Sequence, residues 1–297
     1  MTQDIDRLVA AMERVAGGME NVIIPLLAIE LVWLWRSGRL NKKRLKEMAA
    51  NISSLIVIIP AGFIGLVLWY TIFEAIRSVL PFAIPANWLT VAACLLVVDL
   101  IYYAEHRFEH THRLPWDLYH SVHHSSPEFD QTTSLRLSGF DALLTMGFLT
   151  PAVLIGFHPL LVLGSYGLVV AYQTWIHTEV IKRTPRWFEY VFNTASHHRV
   201  HHGADSEYLD TNYGGILILW DRLFGTFQRE LHRPTYGLTT QIESSHPVDV
   251  QFSEIRRLWA ELRHDSDWST RLRRLWNPPG WQPKSLGVEG QEPANAR

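Results

Sequence analysis

The sequence predicts an all-α fold, a multi-pass membrane helical bundle of about four or five spans with a cytoplasmic, histidine-rich helical cap. Three observations predict it. Residues 52–73, ISSLIVIIPAGFIGLVLWYTIF, carry no charge and are long enough to cross a hydrocarbon core that needs about 20 residues. Further apolar runs recur on both sides of that segment, and only 19% of the 297 residues are charged while 12% are aromatic, a departure from ordinary soluble domains. Finally, 12 of the 15 histidines fall between residues 106 and 202, mostly in tight boxes at helical spacing.

Taken in order, residues 1–18 carry Asp4, Asp6 and Glu13 and no basic lead into a short apolar core, so no cleaved signal peptide is expected. Residues 21–35 form a first candidate span that contains Glu30, 52–73 the second, and 87–103 a third that contains Asp99. Runs 142–157 and 159–176 meet at Phe157-His158-Pro159 and predict a fourth and fifth span joined as a hairpin. The alternative for these two is a pair of buried soluble helices, which the density of apolar runs disfavours. Between the first two spans, residues 36–47 hold six Lys and Arg against one Glu, and the positive-inside rule assigns this loop to the cytoplasm. Counting crossings from there sets residues 104–141 and everything after 176 on the same cytoplasmic face, together with every histidine of 106–202 except His158. The basic, aromatic stretch 182–192 suits an interfacial helix. Residues 251–263 space Phe252, Ile255, Leu258, Trp259 and Leu262 as an amphipathic helix packed on the domain or on the bilayer. From Asn277 onward an irregular tail is expected, disordered at its end. Three segments follow: spans in 1–103, a catalytic region in 104–227 that includes the hairpin, and a C-terminal helix and tail in 228–297.

A net charge of −2 leaves no cationic excess for nucleic-acid phosphates. The single cysteine, Cys94, excludes an internal disulfide and a Cys-based metal site. Metal chemistry must therefore use imidazoles and carboxylates. Four elements supply them: His106 with His110; His120 with His123 and His124; an isolated His177; and His198 with His201 and His202. Residues at i, i+3 and i+4 share a helix face, so each box is expected to aim two or three imidazoles at one point. One zinc takes three or four protein ligands; nine imidazoles fit two metals, and imidazole alone does not choose among Zn, Cu, Fe and Ni.

His112, His158, His232, His246 and His264 are expected to be surface or structural. His197 points about 100° from His198 on a helix and is expected to support the site or touch substrate. Asp99 shares a face with Tyr102, His106 and His110; it either orients a histidine of another helix or faces polar groups at the span end. Gln173, four residues before His177, is a candidate to reach a metal through water. Glu109, Glu128, Asp130, Glu179, Asp205, Asp210 and Asp221 complete the candidates, most of them expected to be solvated.

The segments DLIYYAEHRFEH, LYHSVHHSS, WIHTE, SHHRVHHG and NYGGILILWDRLFGTF, spread over residues 99–227, resemble the histidine boxes of the fatty acid hydroxylase and sterol desaturase superfamily of membrane di-iron enzymes. YGLTTQI, VQF and PPGWQP extend the similarity toward its alkylglycerol monooxygenase branch, known for ether-lipid cleavage with tetrahydrobiopterin. That branch carries Glu after the second histidine of the first box, where this chain has Thr111, so the pterin stays open. The resemblance implies two iron ions, dioxygen, a lipid substrate that is hydroxylated, desaturated or cleaved at an ether, and electrons from a donor protein or a reduced pterin. Neither a Gly-rich dinucleotide fingerprint nor a haem-attachment CxxCH is present. A zinc hydrolase is the competing enzyme class, although no HExxH occurs. A metal or haem transporter would place its histidines along the spans rather than beyond their ends.

Overall fold

Among the described residues three helices are long and apolar enough to cross a membrane, and they organise the rest of the chain. The computed structural model describes residues 2–283. Helix α1 runs Thr2–Arg36, α2 Lys42–Ser53, α3 Leu55–Val79 and α4 Trp88–Thr111. Along α3 only Gly65 and Phe73 are buried, while Ile56 is 77% and Phe63 69% exposed. A helix apolar all round and left uncovered is a lipid-facing span. Pro25 in α1 and Pro60 in α3 are tolerated inside these helices, as in membrane spans generally. Asn87 starts α4 by a reciprocal cap with Thr90.

Past α4 the chain breaks into short pieces. A turn, α5 (Arg113–Pro115), leads into a π-helical segment Trp116–His120 and α6 (Ser121–His124), then a 3₁₀ turn Gln131–Leu135. The expected fourth span, 142–157, is not one helix. It divides into α7 (Gly139–Leu144), a 3₁₀ turn Thr145–Leu149 and α8 (Thr150–Leu154). Close packing explains part of the break: a Cβ on Gly65 would meet the carbonyl of Ala142, and one on Gly147 would meet the Trp69 ring, each at 2.6 Å. The fifth run folds as α9, Pro159–Thr174. At 16 residues it is about 24 Å long, short of the ~30 Å hydrocarbon core. The hairpin is thus a shorter pair seated among three full-length helices. Helix α9 packs on α1, α3 and α4, and Phe73, Cys94, Val98, Leu149, Val153, Val162 and Val169 form the core at that junction.

Beyond it lie α10 (Arg186–Val191), α11 (Ala195–His201), α12 (Leu219–Phe224), α13 (Pro247–His264) and α14 (Trp268–Trp276). The interfacial segment expected at 182–192 includes α10, with Trp187 and Tyr190 exposed. Helix α13 covers 251–263, but its apolar stripe divides: Val250, Glu254 and Leu258 are buried, whereas Phe252 and Trp259 face outward. Sequence reasoning did not anticipate α14. Its signal is the Asp267 carboxylate, which caps the helix by accepting the Thr270 N–H at 2.9 Å. No β-strand occurs among the described residues, only two isolated bridges. Of the expected irregular tail, residues 284–297 lie outside the described residues.

Buried polar ties fasten the spans to the histidine region. Glu30 of α1, 1% exposed, accepts hydrogen bonds from the Thr178 hydroxyl and the Gln131 N–H. Arg44, one of the six cations of the basic loop, is not solvated; it pairs with Asp130 at 3.0 Å and with Glu128. Arg136 reaches Glu47 and Asn51 of α2, both at 3.0 Å. His158 and His246 prove structural: each ring accepts the N–H two residues on, at the start of α9 and α13.

Candidate metal centre

Nine imidazoles converge in two adjoining groups. His106, His110, His120, His124 and His201 form one, and His123, His177, His198 and His202 the other, with the nitrogens of each group within 4.8 Å of one another. All nine are buried. They come from the end of α4, the π-helical segment and α6, the residues after α9, and α11 with its cap.

The boxes do not each serve one point, as the shared-face argument expects. The pairs four apart stay together: His106 with His110, His120 with His124, and His198 with His202. The members three apart cross over, so His123 joins the second group and His201 the first. At 100° per residue, i+4 lies 40° past the starting side chain and i+3 lies 60° short of it. Each HxxHH box therefore straddles two centres.

Backbone carbonyls fix the rings. Nδ1 lies 3.0 Å from Tyr213 O in His106, 3.2 Å from Arg136 O in His123, 2.8 Å from Gln173 O in His177 and 3.0 Å from Thr211 O in His201. A carbonyl only accepts, so Nδ1 is the protonated nitrogen in each and Nε2 presents a lone pair inward. Inside the groups, Nε2 of His120 lies 3.1 Å from that of His106 and 3.0 Å from that of His110. Nε2 of His177 stands 3.3 Å from that of His123 and 2.9 Å from that of His198. Burial drives His120 and His123 down to about 3 and holds His124, His177, His198, His201 and His202 well below the ordinary imidazole value, with neighbouring imidazoles adding to the effect in His123 and in those five.

This donor set fits metal ions. His123 and His177 are neutral, both have committed their N–H outward, and their bare Nε2 atoms still face each other. Two lone pairs in that position repel unless a cation lies between them. Nε2 of His124 and of His201 are likewise buried with no hydrogen-bond partner. Neighbouring nitrogens on an ion bound at ~2.1 Å stand about 3 Å apart at right angles, which matches the spacings inside the groups.

The remaining candidates separate. Asp99 does not orient a histidine; it accepts from the N–H groups of Ile216 (2.7 Å) and Leu217 (3.1 Å) and from Trp220 Nε1 (2.9 Å), so the plainer polar-anchor reading holds. The Gln173 side chain faces no centre: it accepts from the Tyr102 hydroxyl and donates to Val169 O, while its backbone carbonyl orients His177. His197 turns away into Thr194 and the Phe227 ring, as its angle from His198 predicts. Glu109 Oε2 lies 2.8 Å from His120 Nδ1, and Asp210 Oδ1 stands 3.9 Å from His110 Nδ1. Asp221 accepts the N–H groups of Tyr213 and Gly214, both at 2.8 Å, and so sets the carbonyl that holds His106. Glu128 and Asp130 serve Arg44, Glu179 binds Arg39 and Arg233, and Asp205 accepts the Thr235 N–H. The residues whose carbonyls accept from these rings, Tyr213, Thr211 and Arg136, escaped sequence reasoning; for the first two the signal was the turn at Asn212, whose φ is 60°.

Residues 91–226 match the fatty acid hydroxylase family. The match takes in a little under half of the chain. Alkylglycerol monooxygenase of Homo sapiens is 34% identical over 277 residues, covering 91% of this chain and 61% of that protein. The Danio rerio alkylglycerol monooxygenase is 39% identical over 188 residues, 63% of this chain and 42% of the relative. Ornithine lipid hydroxylase OlsE of Rhizobium tropici is 31% identical over 163 residues, 53% of this chain and 47% of the relative. The chain spans about three fifths or less of the length of these curated relatives. No solved structure matches it. The fatty acid hydroxylase segment contains all nine imidazoles of the two groups.

Proposed function

We propose that this chain belongs to the fatty acid hydroxylase family and is an integral membrane oxygenase that uses dioxygen to hydroxylate or desaturate a lipid. The observation that carries the reading is the pair of buried, all-imidazole groups at the end of the span α4. In this reading His106, His110, His120, His124 and His201 hold one iron and His123, His177, His198 and His202 the other. Bound there, the two irons supply the redox chemistry that breaks an unactivated C–H bond, beyond the reach of any side chain. In hydroxylation one oxygen atom enters the C–H bond, and the other leaves as water after uptake of two electrons and two protons.

The protein's own share is placement and exclusion of water. Carbonyls of Tyr213, Arg136, Gln173 and Thr211 lock four rings. Phe129, 1% exposed, lies against His177 and His202 and is itself covered by Tyr236, with ring centroids 4.9 Å apart. Trp116 and Tyr213 pack on His110. Since α4 leads from the apolar bundle directly to the imidazoles, a lipid chain entering beside it keeps its head group at the interface. The positive-inside rule, applied to the basic loop 36–47, favours the cytoplasmic side for this face. Electrons come from a donor protein or a reduced pterin.

A second reading, oxidation of an alkylglycerol, is favoured by the 34% identity to alkylglycerol monooxygenase across 91% of this chain. One experiment separates the readings. The iron-loaded protein in bilayers is given an alkylglycerol, an acyl lipid or a sterol, with either a reduced pterin or a reductase, and O2 uptake and product mass are followed. A product heavier by one oxygen or lighter by two hydrogens supports the oxygenase; activity with zinc in the absence of O2 refutes it in favour of a hydrolase.

A further inference from the structure

Most of the ring partners seen in the two groups are neutral backbone carbonyls, but His120 is different. Its Nδ1 lies 2.8 Å from the Glu109 carboxylate; the angle of that contact falls outside a hydrogen bond, and no hydrogen bond takes up the nitrogen in this structure. Both residues are buried, Glu109 at 4% and His120 at 5% exposure. Glu109 sits on α4 between the two histidines of the first box, yet it is angled off their shared face by its spacing of three from His106 and one from His110. It therefore reaches sideways, to the ring that descends from the π-helical segment. That ring is central: its Nε2 is about equally close to the Nε2 atoms of His106 and His110, at 3.1 and 3.0 Å. In the four-histidine group the two rings with seen Nδ1 partners, His123 and His177, give their protons to carbonyls.

We propose that Glu109 is a positioning residue that makes the five-histidine centre the tighter and more electron-rich of two inequivalent metal sites. The inference rests on the two-ion reading above. A small turn of the His120 ring aims its N–H at this carboxylate, which accepts it more strongly than a neutral carbonyl does. It fixes the tautomer, holds the ring's angle and raises the basicity of the nitrogen that faces the ion. Because His120 lies between His106 and His110, fixing its ring also fixes the spacing of three donors. The four-histidine centre gains no such charge from His123 or His177, so its ion is held by neutral donors and is the easier of the two to lose.

The test is a metal titration of the metal-free, full-length protein in detergent or nanodiscs, with Co2+ as the optical probe and 57Fe for Mössbauer spectra. Wild type is expected to bind two ions per chain in two distinguishable steps and to show two iron signals. Glu109→Gln is expected to weaken one step by ~10–100-fold, the usual cost of losing an outer partner of a metal-bound histidine, to shift one iron signal, and to leave the other step and signal in place. Glu109→Asp, which keeps the carboxylate, recovers part of the loss. Glu105→Gln is the control, one turn earlier on α4, equally buried, and with no hydrogen bond to a histidine; it keeps both steps. A wild type that binds fewer than two ions refutes the two-ion reading, and this proposal with it. A wild type that binds two ions in one indistinguishable step refutes the inequivalence even if no variant folds. With two steps in wild type, the proposal alone is overturned if Glu109→Gln titrates like wild type, if it weakens both steps equally, or if Glu105→Gln weakens the same step as much.

Discussion

Nε2 of His123 and Nε2 of His177 face each other at 3.3 Å while both rings hand their Nδ1 protons to backbone carbonyls. Such a contact is unfavourable without a cation, so the folded chain is destabilised by its own site when metal is removed. Stripping the protein with a chelator is expected to lower its unfolding temperature, and refilling is expected to restore it. An ion at 100 times its dissociation constant contributes about 2.7 kcal/mol to the folded state. Calorimetry in detergent before chelation, after it and after refilling checks this; an unchanged transition would remove the argument from facing lone pairs.

Arg136 supports the same region from outside. Its side chain, 1% exposed, meets Glu47 and Asn51 of α2 and the Ser125 hydroxyl, while its carbonyl orients His123. Arg136→Met leaves Glu47 buried without its partner, a loss worth roughly 3–5 kcal/mol. The double variant Arg136→Met, Glu47→Leu removes both charges and is expected to regain at least half of that stability. A double variant no better than the single one would show that the pair's charge is not what the core requires.

The nine histidines were legible because boxes this dense have no common structural explanation, and α3 was legible because nothing interrupts its apolar run. The assignment of each ring to a centre was not. Whether His123 follows His120 or His177 depends on how α6, α9 and α11 dock, and spacing within one box leaves that open. Composition also failed to show that 142–157 is broken, since Gly147 and Pro151 look harmless in an apolar run until Trp69 is packed against the first of them. Asp99 was visible as a charge in a span, but its partners lie 117 to 121 residues away, beyond the reach of any local pattern.

That distant contact carries its own consequence. Asp99 accepts two backbone N–H groups and one indole N–H from residues 216–220, just after the Tyr213 carbonyl that holds His106. Asp99→Ala strands these donors at a cost of about 1–3 kcal/mol for each one left buried and unsatisfied. Asp99→Asn, which still offers one acceptor oxygen, falls between alanine and wild type. The expected readouts are lower thermal stability in that order and reduced metal content per folded chain. Full metal content in a destabilised Asp99→Ala would sever the proposed link between this anchor and His106.

Asp221 yields the pH prediction. Burial lifts its carboxyl from 3.8 to about 6, although the Thr226 hydroxyl and the N–H groups of Tyr213 and Gly214 pull the other way by hydrogen-bonding to the ionised form. The folded-state value is raised, so between pH 4 and 6 the folded chain holds this proton more firmly than the unfolded chain. Its contribution is complete below pH 3.8 and is lost as pH rises through about 6. A shift of some two units corresponds to roughly 3 kcal/mol. Asp221→Asn cannot titrate and loses this slope, even though it also forfeits an acceptor for the Tyr213–Gly214 turn. The stability gap between variant and wild type is therefore expected to narrow from pH 4 to pH 7 by up to that amount. Urea unfolding of both proteins across this range measures the gap directly, and a constant gap would mean that the buried carboxyl keeps its ordinary affinity for the proton.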